Sequence, residues 1–143
     1  MDIDHNENEK TGEQRYSVEM SDGSKWILTV AGKNGGWQNA HFHKGLWETY
    51  VIQSGFIAFA EDTGQNMSVD YHCIGDVVSS VVNKAHNVWM SPGAVIHTVK
   101  AGEPVGNPDK KGNDWWPAPA LDAWSKSLAD EAAIDAYLES LRV

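Results

Sequence analysis

From about residue 15 to residue 102 the chain runs in short β-branched and aromatic stretches, each closed by Gly, Pro, Asn or Asp. "RYSVEM", "KWILTVAG", "WETYVIQ", "FIAFAE", "MSVDYHCI" and "AVIHTVKAG" are each too short to be helices that bury a face. Most carry the period of two that sends alternate side chains to opposite sides of a sheet. Ser21-Asp22-Gly23-Ser24 between the first two runs supplies the positive φ angles of a tight hairpin. Many short strands joined by turns predict an all-β fold, an antiparallel sandwich or barrel, and exclude a βαβ architecture.

Two flanking segments differ. Residues 1–14 are polar and aperiodic, which predicts a flexible N-terminal tail, and the barrel core then occupies 15–102. Beyond Gly102, "EPVGNPDKKGNDWWPAPA" predicts an irregular surface segment. A single C-terminal α-helix follows in "SLADEAAIDAYLESLRV". Its apolar stripe is Leu128, Ile134, Leu138 and Leu141, its N-cap Ser127, and Asp130 and Glu131 suit the positive helix start. Residues 103–143 are thus expected to pack on the barrel or on a partner subunit.

A net charge of −9 argues against nucleic-acid and anionic-membrane partners. The acidic start "MDIDHNENEK" lacks the basic and apolar regions of a signal peptide, no apolar run approaches a membrane span, and Cys73 is the one cysteine. These features together predict a cytoplasmic protein.

Chemistry concentrates in "WQNAHFHKGLWETYVIQSG", residues 37–55. His41 and His43 are two apart on one strand and share a face, and after a short turn Glu48 enters the next strand beside them. Two imidazoles and a carboxylate converging on one point suit a divalent transition metal, Fe, Mn, Ni or Zn, with coordination positions left open. Tyr50, two residues after Glu48, turns to the same interior. It reads either as a hydrogen-bonding or proton-handling group or as a barrel-filling aromatic.

The pattern G-x5-H-x-H-x4-E-x6-G is complete in Gly35, His41, His43, Glu48 and Gly55, and it resembles the first conserved motif of the cupin superfamily. The second motif of that family, G-x5-P-x-G-x2-H-x3-N, aligns in part at Pro92 and His97, with His86, Ala94 and Ala101 in its first glycine, second glycine and asparagine slots. The resemblance implies an antiparallel cupin β-barrel, the double-stranded β-helix or jelly roll, with one divalent metal inside it on His41, His43, Glu48 and His97. In this alignment Val95 and Val99 flank His97 as an apolar pocket wall, and Trp37 and Asn39 precede the histidine pair on its face. The other histidines carry less: His5 lies in the tail, His72 beside Cys73 with the two facing opposite ways, and His86 in a loop, either exposed or at the pocket mouth. Asp114, Trp115 and Trp116 are candidates for a lid or an oligomer contact.

Cupins span many reactions, so the resemblance implies a class of site rather than a substrate. The expected function is metal-assisted isomerase or lyase chemistry on a small oxygen-rich metabolite, a keto-sugar or a hydroxy or keto acid, with Tyr50 as the catalytic candidate. An iron-dependent dioxygenase and a non-enzymatic metal- or metabolite-binding domain are the alternatives. Cupin barrels commonly pair through outer sheet faces, and Trp26, Trp47 and the helix stripe make a homodimer the expected assembly.

Overall fold

The computed structural model describes residues 2–142. Twelve strands follow one another: β1 (Asp4–Glu7), β2 (Gln14–Glu19), β3 (Lys25–Val30), β4 (Gly36–Trp37), β5 (His41–Phe42), β6 (Leu46–Ser54), β7 (Phe56–Asp62), β8 (Met67–Cys73), β9 (Val77–Ser79), β10 (His86–Met90), β11 (Val95–Gly102) and β12 (Trp116–Pro117). Helices α1 (Pro119–Ser127) and α2 (Glu131–Ser140) close the chain. One sheet has the order β1-β2-β3-β11-β6-β9 and the other β12-β5-β10-β7-β8, with β4 also on β10. The pairs are antiparallel, and the two sheets face each other as a jelly-roll sandwich, the all-β architecture expected from the strand pattern.

Alternation builds the core. On β6 Glu48, Tyr50 and Ile52 point inward while Trp47, Val51 and Gln53 point out, and on β11 Ile96 and Thr98 are inward. These meet Ile57, Phe59, Val88 and Met90 of the facing sheet. Strand β10 is buried along its whole length, because its second face is covered by α1, with Ile134 of α2 in the same apolar cluster. There Ala58 and Ala60, small enough to let helices approach, pack with Trp89, Leu121 and Ile134.

Two expectations are corrected here. The segment 1–14 is not simply an unstructured tail, since β1 pairs with β2 in register from Asp4↔Ser17 to Glu7↔Gln14 and His5 stacks on Tyr16 at 4.5 Å. Polar sequence hid a strand whose partner, rather than its own apolar face, holds it. The C-terminal region holds two helices, not one: Ser127 ends α1, donating its hydroxyl to the Trp124 carbonyl, and Asp130 caps α2 by accepting from the Ala133 N–H at 2.9 Å. Proline at the start of α1 opens the first helix upstream of the predicted boundary. The apolar stripe of α2 lies against the chain's own second sheet through Ile134 and Leu138, while Leu141 is exposed. Among the described residues no helix is long and apolar enough to cross a membrane.

Candidate metal centre

His41 and His86 are directly opposite each other on β5 and β10, so their side chains leave the same face of the sheet together. His43 lies just beyond β5, and Glu48 reaches in from β6 of the facing sheet. The four side chains are 9%, 1%, 2% and 3% exposed respectively, and their ligating atoms lie within 4.8 Å of one another. Glu48 Oε1 is the hub, 3.4 Å from His41 Nε2, 3.3 Å from His86 Nε2 and in contact with His43 Nε2.

The surrounding backbone fixes this arrangement. The far nitrogens of the rings face carbonyls, which can only accept: His41 Nδ1 donates to the Asn39 carbonyl at 2.8 Å, His43 Nδ1 to that of Asp114, and His86 Nδ1 lies 3.5 Å from that of Lys84. Each Nδ1 so engaged carries the proton, which leaves Nε2 as a lone pair aimed into the cluster. Burial pushes His41 down to about 4, so its ring is neutral near pH 7. Burial works to raise Glu48, and the charge of Lys100 favours its ionised form. Lone pairs and a carboxylate crowded on one buried point repel unless a cation lies among them. Three nitrogens and an oxygen of this kind suit a divalent transition ion, and these residues fit one on the chemistry of their donors.

Asp114 braces the turn that carries two of the four. One carboxylate oxygen accepts from Lys44 N–H at 2.8 Å and Trp116 Nε1–H at 3.1 Å. The other accepts from the N–H groups of Gly45, Leu46 and Val105 at 2.8, 3.1 and 3.1 Å. Burial opposes ionisation there, yet these donors keep the carboxyl below its ordinary value. Gly45 is required at the same turn, since a Cβ would come within 1.7 Å of the Glu103 carbonyl. Asp114 is therefore an internal brace, Trp115 stacks on His41 at 5.1 Å, and Trp116 stacks on Phe42 at 6.4 Å. From the other side, Ser80 accepts the Glu48 N–H at 2.9 Å and fixes the carboxylate's strand.

The cluster opens into a cavity of about 850 Å³ walled by Tyr50, Thr98, Lys100 and Trp115, with Trp37 and Asn39 also on its lining as expected. Tyr50 is buried beside Glu48, and both burial and that carboxylate push its phenol well above the ordinary value, so it is a proton donor rather than a phenolate.

His97 is not in the cluster. It sits on the outer face of β11, accepting from Trp26 Nε1–H at 3.1 Å, contacting Gln53 Oε1 at 2.5 Å and stacking on Trp26 at 5.5 Å. Strand parity is the reason: Thr98 and Lys100 face inward, so His97 and Val99 face out, and Val99 does not wall the pocket. The register shift between Val95 and Ile96 fixes that phase. His86, assigned to a loop by sequence, takes its place in a strand. The signal was present one strand earlier: Gly75 matches the opening glycine of the second motif, Val81 and Asn83 stand in its proline and glycine slots, and His86 falls in the histidine slot. Asn83 adopts φ of 65°, the left-handed conformation that glycine would otherwise supply. Lys100 was also missed, because its inward direction follows only from the observed register.

No family model matches the sequence, and no curated protein matches it. Among solved structures, oxalate decarboxylase from Bacillus subtilis superposes with a TM-score of 0.63 at 15% identity over 81% of this chain. The fold is that of a cupin-type domain. The same enzyme at pH 4.6 gives a TM-score of 0.63 at 12% identity over 81% of this chain, and a tryptophan-to-phenylalanine variant gives 0.63 at 13% over 82%. In each case the cupin-type domain described here spans 30% of the other chain.

Proposed function

We propose that the domain holds one divalent transition metal on His41, His43, Glu48 and His86 and acts on a small oxygen-rich metabolite, a keto-sugar or a hydroxy or keto acid, by isomerase or lyase chemistry. The observation that carries this reading is the convergence of imidazole lone pairs on a buried carboxylate at the end of a cavity that also presents Tyr50 and Lys100. A bound divalent ion would polarise a substrate carbonyl or steady the negative charge left when a proton or carbon dioxide departs. The chain's own groups do the rest. Tyr50 offers a hydroxyl proton at the wall, Lys100 a positive charge opposite Glu48, and Trp115 covers His41 and keeps water from that side.

The Mn(II) centres of oxalate decarboxylase support manganese as a candidate ion, and its decarboxylase activity supports the lyase reading. Donor groups beside the cluster favour an enzyme over a domain that only stores a ligand. Elemental analysis of protein expressed without added metal, followed by a turnover screen of keto-sugars and hydroxy and keto acids, tests the proposal. Near-stoichiometric metal and a substrate whose turnover falls on the order of a hundredfold in Tyr50→Phe are expected. A metal-free chain, or a substrate turned over equally by Tyr50→Phe, would overturn the corresponding half. Turnover that requires iron and stops without oxygen would move the assignment to a dioxygenase.

The assembly belongs to the same reading. Trp26, Trp47, Val51 and Val99 leave the outer face of the first sheet apolar and exposed, whereas the helices cover the second sheet. A homodimer through that bare face, in the cytoplasm where the exposed Cys73 stays reduced, suits these features. Sedimentation of Val51→Asp as a monomer beside a dimeric parent would support it, and a monomeric parent at micromolar concentration would refute it.

A further inference from the structure

The protein is strongly acidic, yet five of its eleven Lys and Arg residues, Arg15, Lys25, Lys100, Lys110 and Lys111, line one cavity of about 710 Å³. That cavity shares Arg15, Lys100 and Trp115 with the one that opens onto the metal centre, so the two adjoin. Lys25, Lys100 and Glu48 lie side by side across β3, β11 and β6. Two lysines directly opposite each other on one face destabilise a sheet, and Arg15 adds to the repulsion felt by Lys100. Burial adds to the cost at Lys100, and Glu48 and Asp114 offset part of it from a distance, but no acid pairs directly with the group. Among the described residues none of the five cations has a carboxylate within 4.0 Å. The two acids on the lining are Asp109 and Asp114, and Asp114 is occupied by five N–H donors. Lys110 lies over the Trp115 ring at 4.9 Å, placing its charge at the junction of the two cavities.

We propose that this basic annex binds a second acidic group, phosphate or carboxylate, of a metabolite whose reacting oxygen atoms lie at the metal centre. This rests on the metal-centre reading above and narrows its substrate class to small compounds with two acidic groups. The five cations share one cavity lining and, among the described residues, none is paired with an acid. They open off the reactive cavity rather than onto the outer faces of the sheets. A group of oxyanion charge satisfies them and fixes the far end of the substrate, which then reaches the cluster past Lys100 and Trp115.

The test titrates the full chain calorimetrically, once loaded with Mn(II) and once stripped by chelator, with glycolate, malonate and 2-phosphoglycolate. The loaded protein should bind malonate or 2-phosphoglycolate about tenfold or more tighter than glycolate, and the compound preferred identifies the second group as carboxylate or phosphate. Lys110→Gln combined with Lys111→Gln, both at exposed positions, should cut that preference about tenfold while leaving metal content and glycolate affinity unchanged, and Lys25→Gln should do the same. Equal affinities for glycolate, malonate and 2-phosphoglycolate, or a preference untouched by either variant in metal-loaded protein, would overturn the proposal. A chain that takes up no Mn(II) refutes the metal centre alone. Binding of malonate and 2-phosphoglycolate to the stripped protein, compared between parent and lysine variants, then decides the annex on its own.

Discussion

Strands β10 and β11 follow one another in the chain and each carries a histidine, but His86 faces the buried cluster while His97 lies on an outer face against Trp26. The difference is one of strand phase. A histidine two residues from an inward position is a ligand candidate, and one residue from it cannot be. On β11 apolar residues occur on both faces, Ile96 inward and Val99 outward, so hydrophobicity does not reveal the phase. On β10 both faces are buried, one by the core and the other by α1, so alternation disappears altogether. The comparison teaches that motif spacing names a site only together with the register that orients it.

The largest expected effect lies at the hub of the inward side. Glu48→Gln removes the charge that gathers the three imidazoles, and metal affinity should fall on the order of a hundredfold or more in a chelator competition, given that loss of a mere outer partner costs 10–100-fold. An unchanged affinity would mean that the carboxylate is not a ligand.

Asp114→Asn comes next. An amide nitrogen would face N–H donors, leaving buried groups unpaired at a cost of about 2–4 kcal/mol in denaturant unfolding, since each costs roughly 1–3 kcal/mol. Because the folded carboxyl lies below its ordinary value of roughly 3.9, its stabilisation is complete above that pH and fades as pH falls through the folded value. Parent protein should therefore lose more stability than the variant between neutral pH and about pH 3. Parallel pH profiles would remove Asp114 as the brace.

A smaller effect tests the covered sheet. Tyr71 on β8 donates to Asp135 on α2 at 2.7 Å, and burial together with that carboxylate raises its phenol. Tyr71→Phe should cost about 1 kcal/mol. The raised value means this contribution is full below about pH 10 and is lost as pH rises through the folded value, so parent and variant should converge in alkaline unfolding curves. A constant gap across that range would contradict the assignment.

Much of the fold was legible because strands, the Asp22-Gly23 hairpin and the first motif are local signals. His41, His43 and Glu48 lie within eight residues, so two-residue alternation and one turn suffice to bring them together. The second half of the site depends on which distant strands pair. Val81 and Asn83 erased the proline and glycine that mark the motif before His86, while Pro92 offered the same five-residue step before His97. The β1 pairing and the break between α1 and α2 were hidden for a similar reason. Each is held by partners remote in sequence or by a single cap such as Asp130, not by a periodic apolar face.

Metal content per chain in His86→Ala and His97→Ala, purified side by side without added metal, tests the central assignment most directly. The geometry predicts that His86→Ala loses most of its bound metal and that His97→Ala retains the parent's content. Retention by His86→Ala together with loss from His97→Ala would contradict the cluster and return the fourth ligand to the outer strand.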